Sequence, residues 1–474
     1  MAGIFEPGER KVRPGAYFNI QKAGDENTTT FVNGTVAVLF RSDFGPLGEV
    51  KKIGLDEDYT AIYGTGVTTS TIKEAIAGGA QTIIACRVGT GGTPATVELS
   101  DNGETPATAV NVSAAYAGSK GFSVTIRDKI TDSSKKECVI YSGTAVFESF
   151  EFASGEGEAA ALAAAINKSS NFTAEVAAGK DSAVIANVSQ KAFTAGTDPT
   201  ISVNAYAEAL GLIEAYDFNV LCTDSTSNAV HYLIQSFVDR VENAGLFVQA
   251  VIAEAHTVEL ETRMQRAAAY NDEKIIYVLN AYMREAGATI DPYRTAARIA
   301  GMVAAASSAS SLTHTVVSNI RELLEPLTNT QIIEAENKGC LVLSYNANNQ
   351  VWIDSAINTL VTPADNQDSG WKKIRRTKTR FELMRRMNAL ADTLIGQIDN
   401  DDNGRATVVA QLQTVGDAMI EEGKLTACDV SESGIYTPDG DSAWFDINVV
   451  DKDSMEHLYL TYAFRFSTVV ETEG

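Results

Sequence analysis

The chain has 474 residues, enough for roughly three folded units at about 150 residues each. Its 61 acidic residues outnumber 38 basic ones, leaving a net charge of −23, which argues against non-specific nucleic-acid binding and against docking on an anionic membrane, since both need clustered Lys or Arg. A composition 45% hydrophobic and 21% charged belongs to a folded globular chain and excludes wholesale disorder.

The opening MAGIFEPGERKVRPGAYFNI holds no apolar run long enough for a secretory signal. No stretch approaches the ~18 apolar residues that span a bilayer, so no direct membrane insertion is expected. Residues 1–30, charged and interrupted by Pro7 and Pro14, are too poor in apolar side chains to form a core and read as an N-terminal arm. Its one β-prone stretch is Ala16, Tyr17, Phe18, Asn19 and Ile20.

From Thr35 the text changes. TVAVLF (35–40) predicts a buried strand, STIKEAIAGG (70–79) a short helix ended by glycine, and QTIIACRV (81–88) a second buried strand, which together make a βαβ unit over residues 31–92. The same grammar returns at 200–355: FNVLC (218–222), LFVQAVIA (246–253), KIIYVLN (274–280) and CLVLSY (340–345) are apolar runs without alternation, separated by helical patterns at 230–241 and 295–306. Continuous apolar strands alternating with helices indicate an α/β sheet covered on both faces. Between the two parts, residues 93–199 are rich in Thr, Ser, Ala and Gly, with short runs such as FSVTIRD (122–128) and ECVIY (137–141) and one helix, EAAALAAAIN (158–167). They predict an inserted β-rich domain.

Residues 356–457 predict a C-terminal α+β domain. Thr379 and Glu382 fit a capping box, followed by apolar positions at Met384, Met387, Ala391, Leu394 and Ile398. Val408, Leu412, Val415 and Met419 define a partner helix, and WFDINVV (444–450) a strand. Finally 458–474 opens with LYLTYAFRFSTVV, in which Leu458, Leu460, Tyr462, Phe464 and Phe466 share one face of a long terminal strand.

Few constellations offer chemistry. Cys86, Cys138, Cys222, Cys340 and Cys428 show no CxxC spacing and sit in apolar contexts, as buried free thiols of a chain folding in a reducing cytoplasm do. Asp399, Asp401, Asn403 and Gly404 open like a calcium loop, but Ala410 stands where the bidentate carboxylate belongs. Asp224, Ser225 and His231 are triad residue types without a G-x-S-x-G elbow, so Asp224 or Ser225 reads as a helix N-cap. The glycines at 64–66 and 89–92 lack the third glycine of the dinucleotide pattern or the Lys-Ser/Thr of a P-loop. No catalytic, cofactor or metal residue is assigned, and the chain is expected not to be an enzyme. The sharpest charge feature is WKKIRRTKTRFELMRR (371–386), where Lys372, Lys373, Arg375, Arg376, Lys378, Arg380, Arg385 and Arg386 are opposed only by Glu382. Such a block is either a face that balances acid elsewhere in the fold or a contact with an acidic partner.

Taken in order, RPGAYFNI near the start, ARIAGMVAAASSASSLTHTVVSN (297–319), QVWIDSAINTLVT (350–362), the basic WKKIRR entering a helix, the helical pair around NDDNGR and the aromatic terminal strand resemble the contractile phage tail sheath proteins and the sheaths of tail-like bacteriocins. The resemblance implies a non-catalytic, subtilisin-like α/β domain, a β-sandwich-like insert and extended terminal arms. It implies a structural subunit that polymerises around an inner tube, as hexameric rings stacked helically, and contracts to drive the tube through a cell envelope. Ala16, Tyr17, Phe18 and Ile20 at one end, with Leu458, Leu460, Tyr462, Phe464 and Phe466 at the other, would add strands to neighbouring copies. The cations at 372–386 would touch the inner tail tube protein. Baseplate and tail terminator proteins would be further partners, nucleic acid would not, and the location would be a virion or tail-like particle assembled in the bacterial cytoplasm. A non-contractile shell or filament subunit is the alternative.

Overall fold

The computed structural model describes residues 3–4, 17–18, 34–64, 69–365 and 367–465. Strand β1 (Thr35–Phe40) is an interior strand of a seven-stranded sheet. Strand β2 (Val50–Gly54) and helix α1 (Ser70–Gly78) lead to β3 (Thr82–Arg87), which pairs in parallel with β1 and antiparallel with β2.

The chain then leaves the sheet for a second unit. Strands β4 (Pro94–Ser100) and β5 (Thr108–Ala117) pair with β9 (Phe172–Val176) in one antiparallel sheet, in the order β9-β5-β4. Strands β6 (Ser123–Asp128), β7 (Lys135–Ser142), β8 (Ala145–Ala153) and β10 (Val188–Ala192) form another, in the order β8-β7-β6-β10, and helix α2 (Glu158–Ile166) closes the core. Bridges Thr90–Thr200 and Thr93–Thr197 stitch its two connecting segments together. The unit is fixed to the sheet by a plug: Phe44, on the loop after β1, is buried edge-on against Tyr116, Phe122 and Phe147 of the insert, with ring centroids 5.4, 5.4 and 5.7 Å away.

Back in the main sheet, helix α3 (Val203–Ile213), strand β11 (Val220–Thr223), helix α4 (Asn228–Asn243), strand β12 (Gln249–Ile252), helix α5 (Leu260–Tyr270) and strand β13 (Ile275–Val278) follow in turn. Helix α6 (Pro292–Ala305), helix α7 (Asn329–Asn337) and strand β14 (Cys340–Leu341) complete the body. The strand order is β14-β13-β12-β11-β1-β3-β2, parallel except for β2. Successive side chains of a strand point to opposite faces, so Val36, Val38, Val220 and Val251 share one core with α1 and α6, while Ala37, Leu39, Leu221 and Ala250 share another with α3, α4 and α5. Helices α1 and α6 cross so closely that a Cβ on Gly78 would strike the Arg298 carbonyl oxygen, and one on Gly301 that of Ala75. Beside the crossing, the fully buried Glu74 accepts from Arg298 Nε and Arg294 Nη2, each at 2.8 Å.

The run CLVLSY does not form one strand. Cys340–Leu341 end the main sheet, whereas Leu343–Tyr345 turn into a hairpin with Val351–Ile353, because Asn280 takes the Leu343 amide and carbonyl at the point of divergence.

Helices α8 (Ile374–Leu394) and α9 (Asp402–Glu421) form an antiparallel pair backed by the hairpin of β15 (Leu425–Glu432) and β16 (Phe445–Asp451). Their small core joins Leu383, Met387, Leu412, Met419, Leu425 and Val430, and Gly416 lets α9 approach the Cys428 side chain. The capping box expected at Thr379 is not there. Helix α8 starts five residues earlier, and Thr379 Oγ1 instead donates to the Arg375 and Ser308 carbonyls, 3.1 Å each, inside the helix. Glu382 is buried and accepts from Lys424 Nζ at 2.6 Å. Burial pushes its carboxyl up, but the bonds from Lys424 and Ser308 outweigh that and hold it below the usual range. The helix stops at Leu394, before Gly396 takes a positive φ. All five cysteines are free and buried.

Candidate functional site

Two places could carry function: the crevice where the sheet order reverses, and the C-terminal junction.

In an open α/β sheet, the crevice at the C-terminal ends of the strands where order reverses is the usual ligand position. Here the reversal lies between β1 and β11, whose ends deliver Arg41 and Asp224 to a cavity of about 550 Å³. Asp224 is not the helix cap expected of it, since α4 begins after Ser227. Its carboxylate accepts from the Arg41 amide and Nε, both at 2.7 Å, and from Tyr206 Oη at 2.6 Å. His231 Nε2 lies 2.9 Å from the Ser225 carbonyl oxygen rather than from a hydroxyl. Burial pushes the imidazole down to about 4. Carboxylate, imidazole and hydroxyl therefore do not form the relay that nucleophilic catalysis needs.

At the C-terminal junction, the basic block is committed inside the chain. Arg376 grips Asp451 through Nε (2.6 Å) and Nη2 (2.8 Å) and reaches Asp368 through Nη1 (2.9 Å). Lys373 Nζ meets Asp453 at 2.7 Å and Glu456 at 3.1 Å. Arg375 donates to Ser454 Oγ at 2.6 Å. Lys378 caps the end of α6 through the Val303 and Ala306 carbonyls, and burial pushes its amine down to about 8. Arg380 lies 3.8 Å from the centre of the Trp371 ring and pairs with Glu273. Arg385 donates to the carbonyls of Phe218 (2.6 Å) and Phe247 (2.7 Å), at the entry to β11 and β12. Arg386 spans Glu382 and Glu422, and the Glu422 carboxyl is held down at about 2, first by Arg386 and then by Lys424. The eighth cation, Lys372, is half-buried near Glu336, whose carboxyl burial and Asp354 push up to about 7 against its pull.

Seven of the block's eight cations hold carboxylates, a hydroxyl or carbonyls of the same chain, most of them distant in sequence. The sequence reading missed the acceptors. Their signal was the acidic VVDKDSMEH at 449–457, opposite in charge to the block.

Beyond Glu456 the predicted terminal strand has no ladder partner among the described residues through residue 465. Leu458, Tyr459, Leu460, Tyr462 and Phe464 are 62% to 91% exposed. Phe466 lies outside the described residues, as do Ala16 and Ile20; Tyr17 and Phe18 pair in parallel with Gly3 and Ile4. Within its sheet the β15–β16 hairpin has two strands, so each has one edge without a ladder partner among the described residues.

Residues 199–359 match the family model of the phage tail sheath protein central domain. The phage-like element PBSX protein XkdK of Bacillus subtilis is 23% identical over 479 residues, covering 96% of this chain and 98% of its own length. The crystal structure of a sheath tail protein from Desulfitobacterium hafniense superposes with a TM-score of 0.70 at 18% identity, covering 92% of this chain and 100% of that one. The helical sheath of the anti-feeding prophage in its contracted state aligns with a TM-score of 0.52 at 10% identity, covering 96% of this chain and 99% of that one. Residues 199–359 thus match the phage tail sheath central domain, and the chain shares a mixed α/β multidomain fold with sheath proteins over most of its length.

Proposed function

We propose that this chain is the structural subunit of a contractile tail sheath, polymerising around an inner tube and shortening to drive that tube through a cell envelope. The observation that carries the reading is the exposed apolar segment 458–465 on a subunit whose β15–β16 hairpin has edges without a ladder partner among the described residues. Exposed aromatic side chains at this density on unpaired backbone are an aggregation hazard unless another surface covers them. Strand addition to a neighbour covers both, with backbone hydrogen bonds for affinity and alternate side chains for specificity. Leu458, Leu460, Tyr462, Phe464 and Phe466 would enter a neighbour's sheet, with Ala16, Tyr17, Phe18 and Ile20 of a second chain alongside. Head-to-tail contacts of this kind build rings and helices rather than closed dimers.

In this reading the α/β body is a subtilisin-like scaffold without the chemistry, the insert is the sandwich-like outer part, and the work of contraction comes from a free-energy difference between two packings held back by a kinetic barrier. Baseplate and terminator proteins would cap the polymer, in a virion or tail-like particle assembled in the bacterial cytoplasm. A tube contact through residues 372–386 would have to break bonds that hold the helical pair to the body, so we assign the block to that internal role. The test is removal of residues 457–474. Far-UV circular dichroism should stay unchanged while sedimenting polymer and striated tubes in the electron microscope disappear. Normal tubes from the shortened chain would overturn the reading.

A further inference from the structure

Asp451, the last residue of β16, and residues 452–456 after it lead from the last strand towards the exposed segment. Nothing in their local sequence favours helix or strand, yet they are held at almost every step. Asp451 takes the two-pronged grip of Arg376. The Lys452 amide donates to the Lys424 carbonyl at 3.2 Å. Asp453 and Glu456 share Lys373, and Ser454 accepts from the buried Arg375. Glu456 also accepts from the hydroxyls of Ser311 and Thr313, 3.0 Å each. Hold then ends abruptly: the side chains of residues 458–465 are exposed.

The partners come from two parts of the molecule. Lys373, Arg375 and Arg376 stand at the start of α8, whereas Ser311 and Thr313 belong to the loop after α6, and Thr313 is itself tied to the Ala356 amide at 3.0 Å. Glu456 therefore joins the helical pair to the α/β body. Without this hold, a pull on the segment would reach β16 first and open the β15–β16 ladder bond by bond, and a two-stranded hairpin resists that poorly. Charge-assisted contacts gathered at one place must instead break together.

We infer that residues 451–456 are an anchor that fixes where and in which direction the exposed segment leaves the subunit, and that passes a pull on it to α8 and the 311–313 loop. The anchor is a property of one subunit; its mechanical role rests on the proposal that a neighbour takes up residues 458–465. Lys373 is its pivot, because one ammonium serves two carboxylates.

The experiment uses the full chain with Met455→Cys, a position 84% exposed, carrying a nitroxide; the five native cysteines are buried and escape labelling. In the non-sedimenting fraction, Lys373→Glu should shorten the label's rotational correlation time severalfold, and adding Asp453→Lys and Glu456→Lys should restore it. Tubes should become short and irregular in the first variant and regular again in the charge swap. An unchanged label on Lys373→Glu, with circular dichroism confirming the fold, overturns the anchor. A freed label with tubes of normal length and regularity overturns its role in setting the segment's direction. Tubes that survive removal of residues 457–474 would sink the sheath proposal instead, and leave the label result standing.

Discussion

His231 is fully buried at the start of α4, with Nε2 on the Ser225 carbonyl oxygen and Nδ1 without a hydrogen-bond partner among the described residues. Burial keeps its imidazole neutral in the folded chain down to about pH 4, whereas an unfolded histidine takes up its proton near pH 6.5. The unfolded state therefore binds more protons across that window, and stability that is whole above about pH 6.5 drains away as the pH falls towards about 4. The loss from this one side chain is on the order of 3 kcal/mol. His231→Phe should flatten that part of the profile: between about pH 7.5 and about pH 4.5, the urea midpoint of the variant should fall less than that of the parent. Parallel curves would show that other groups set the acid limit. The neighbouring Asp224 teaches a related lesson. A carboxylate between a strand and a helix looks like a cap, but Arg41 and Tyr206, 183 and 18 residues away, claim it first.

Among the elements, the loop after β1 has the widest reach. It places Phe44 in the aromatic cluster of the insert and receives the buried Arg87, whose Nε and Nη2 donate to the Ser42 carbonyl at 3.1 and 2.7 Å. The insert is thus oriented by a side chain of the body as well as by its two connecting segments. Phe44→Ala removes a buried ring and leaves a hole at the seam, at a cost of about 3–5 kcal/mol. Urea denaturation should register that loss, and limited proteolysis should speed up at residues 89–93 and 194–200. Wild-type protection of those segments would mean that the bridges alone hold the insert. Helix α8 makes the corresponding link at the other end, through Arg385 on the Phe218 and Phe247 carbonyls and Lys378 on those of Val303 and Ala306.

Across the whole molecule, the internal use of residues 373–386 leaves an acidic subunit with little compensating positive surface from that block. Copies carrying −23 each repel one another, and salt weakens the repulsion: the screening length falls from about 30 Å at 0.01 M to about 10 Å at 0.1 M. If copies join by the strand addition we propose, polymerisation of the isolated chain should therefore rise over that range, because strand addition and apolar burial are screened far less than surface charge. Analytical ultracentrifugation across a salt series would show it. Polymer that dissolves as salt is added would mean that attraction between opposite charges, not strand exchange, leads assembly.

Much of this architecture is written in local pattern. Runs such as TVAVLF and KIIYVLN must be strands covered on both faces, because no polar side chain alternates with the apolar ones, and they are buried strands of the main sheet. The period of three and four along 384–394 and 408–419 marks a helical pair, and the charge of 371–386 marks a place where acid must be found. Pattern could not say where. It did not reveal that β1 would sit between β3 and β11, that residues 340–345 would divide between two sheets, or that α8 would begin at Ile374. Nor did it show that Asp451, Asp453 and Glu456 would close on Arg376 and Lys373 across some 80 residues of chain. Periodicity reports only whether a face is covered, and a cap competes only with its near neighbours. Which distant group covers a face or takes a charge is decided when the folded chain brings the candidates within bonding distance, and there the strongest buried pairing displaces the local one.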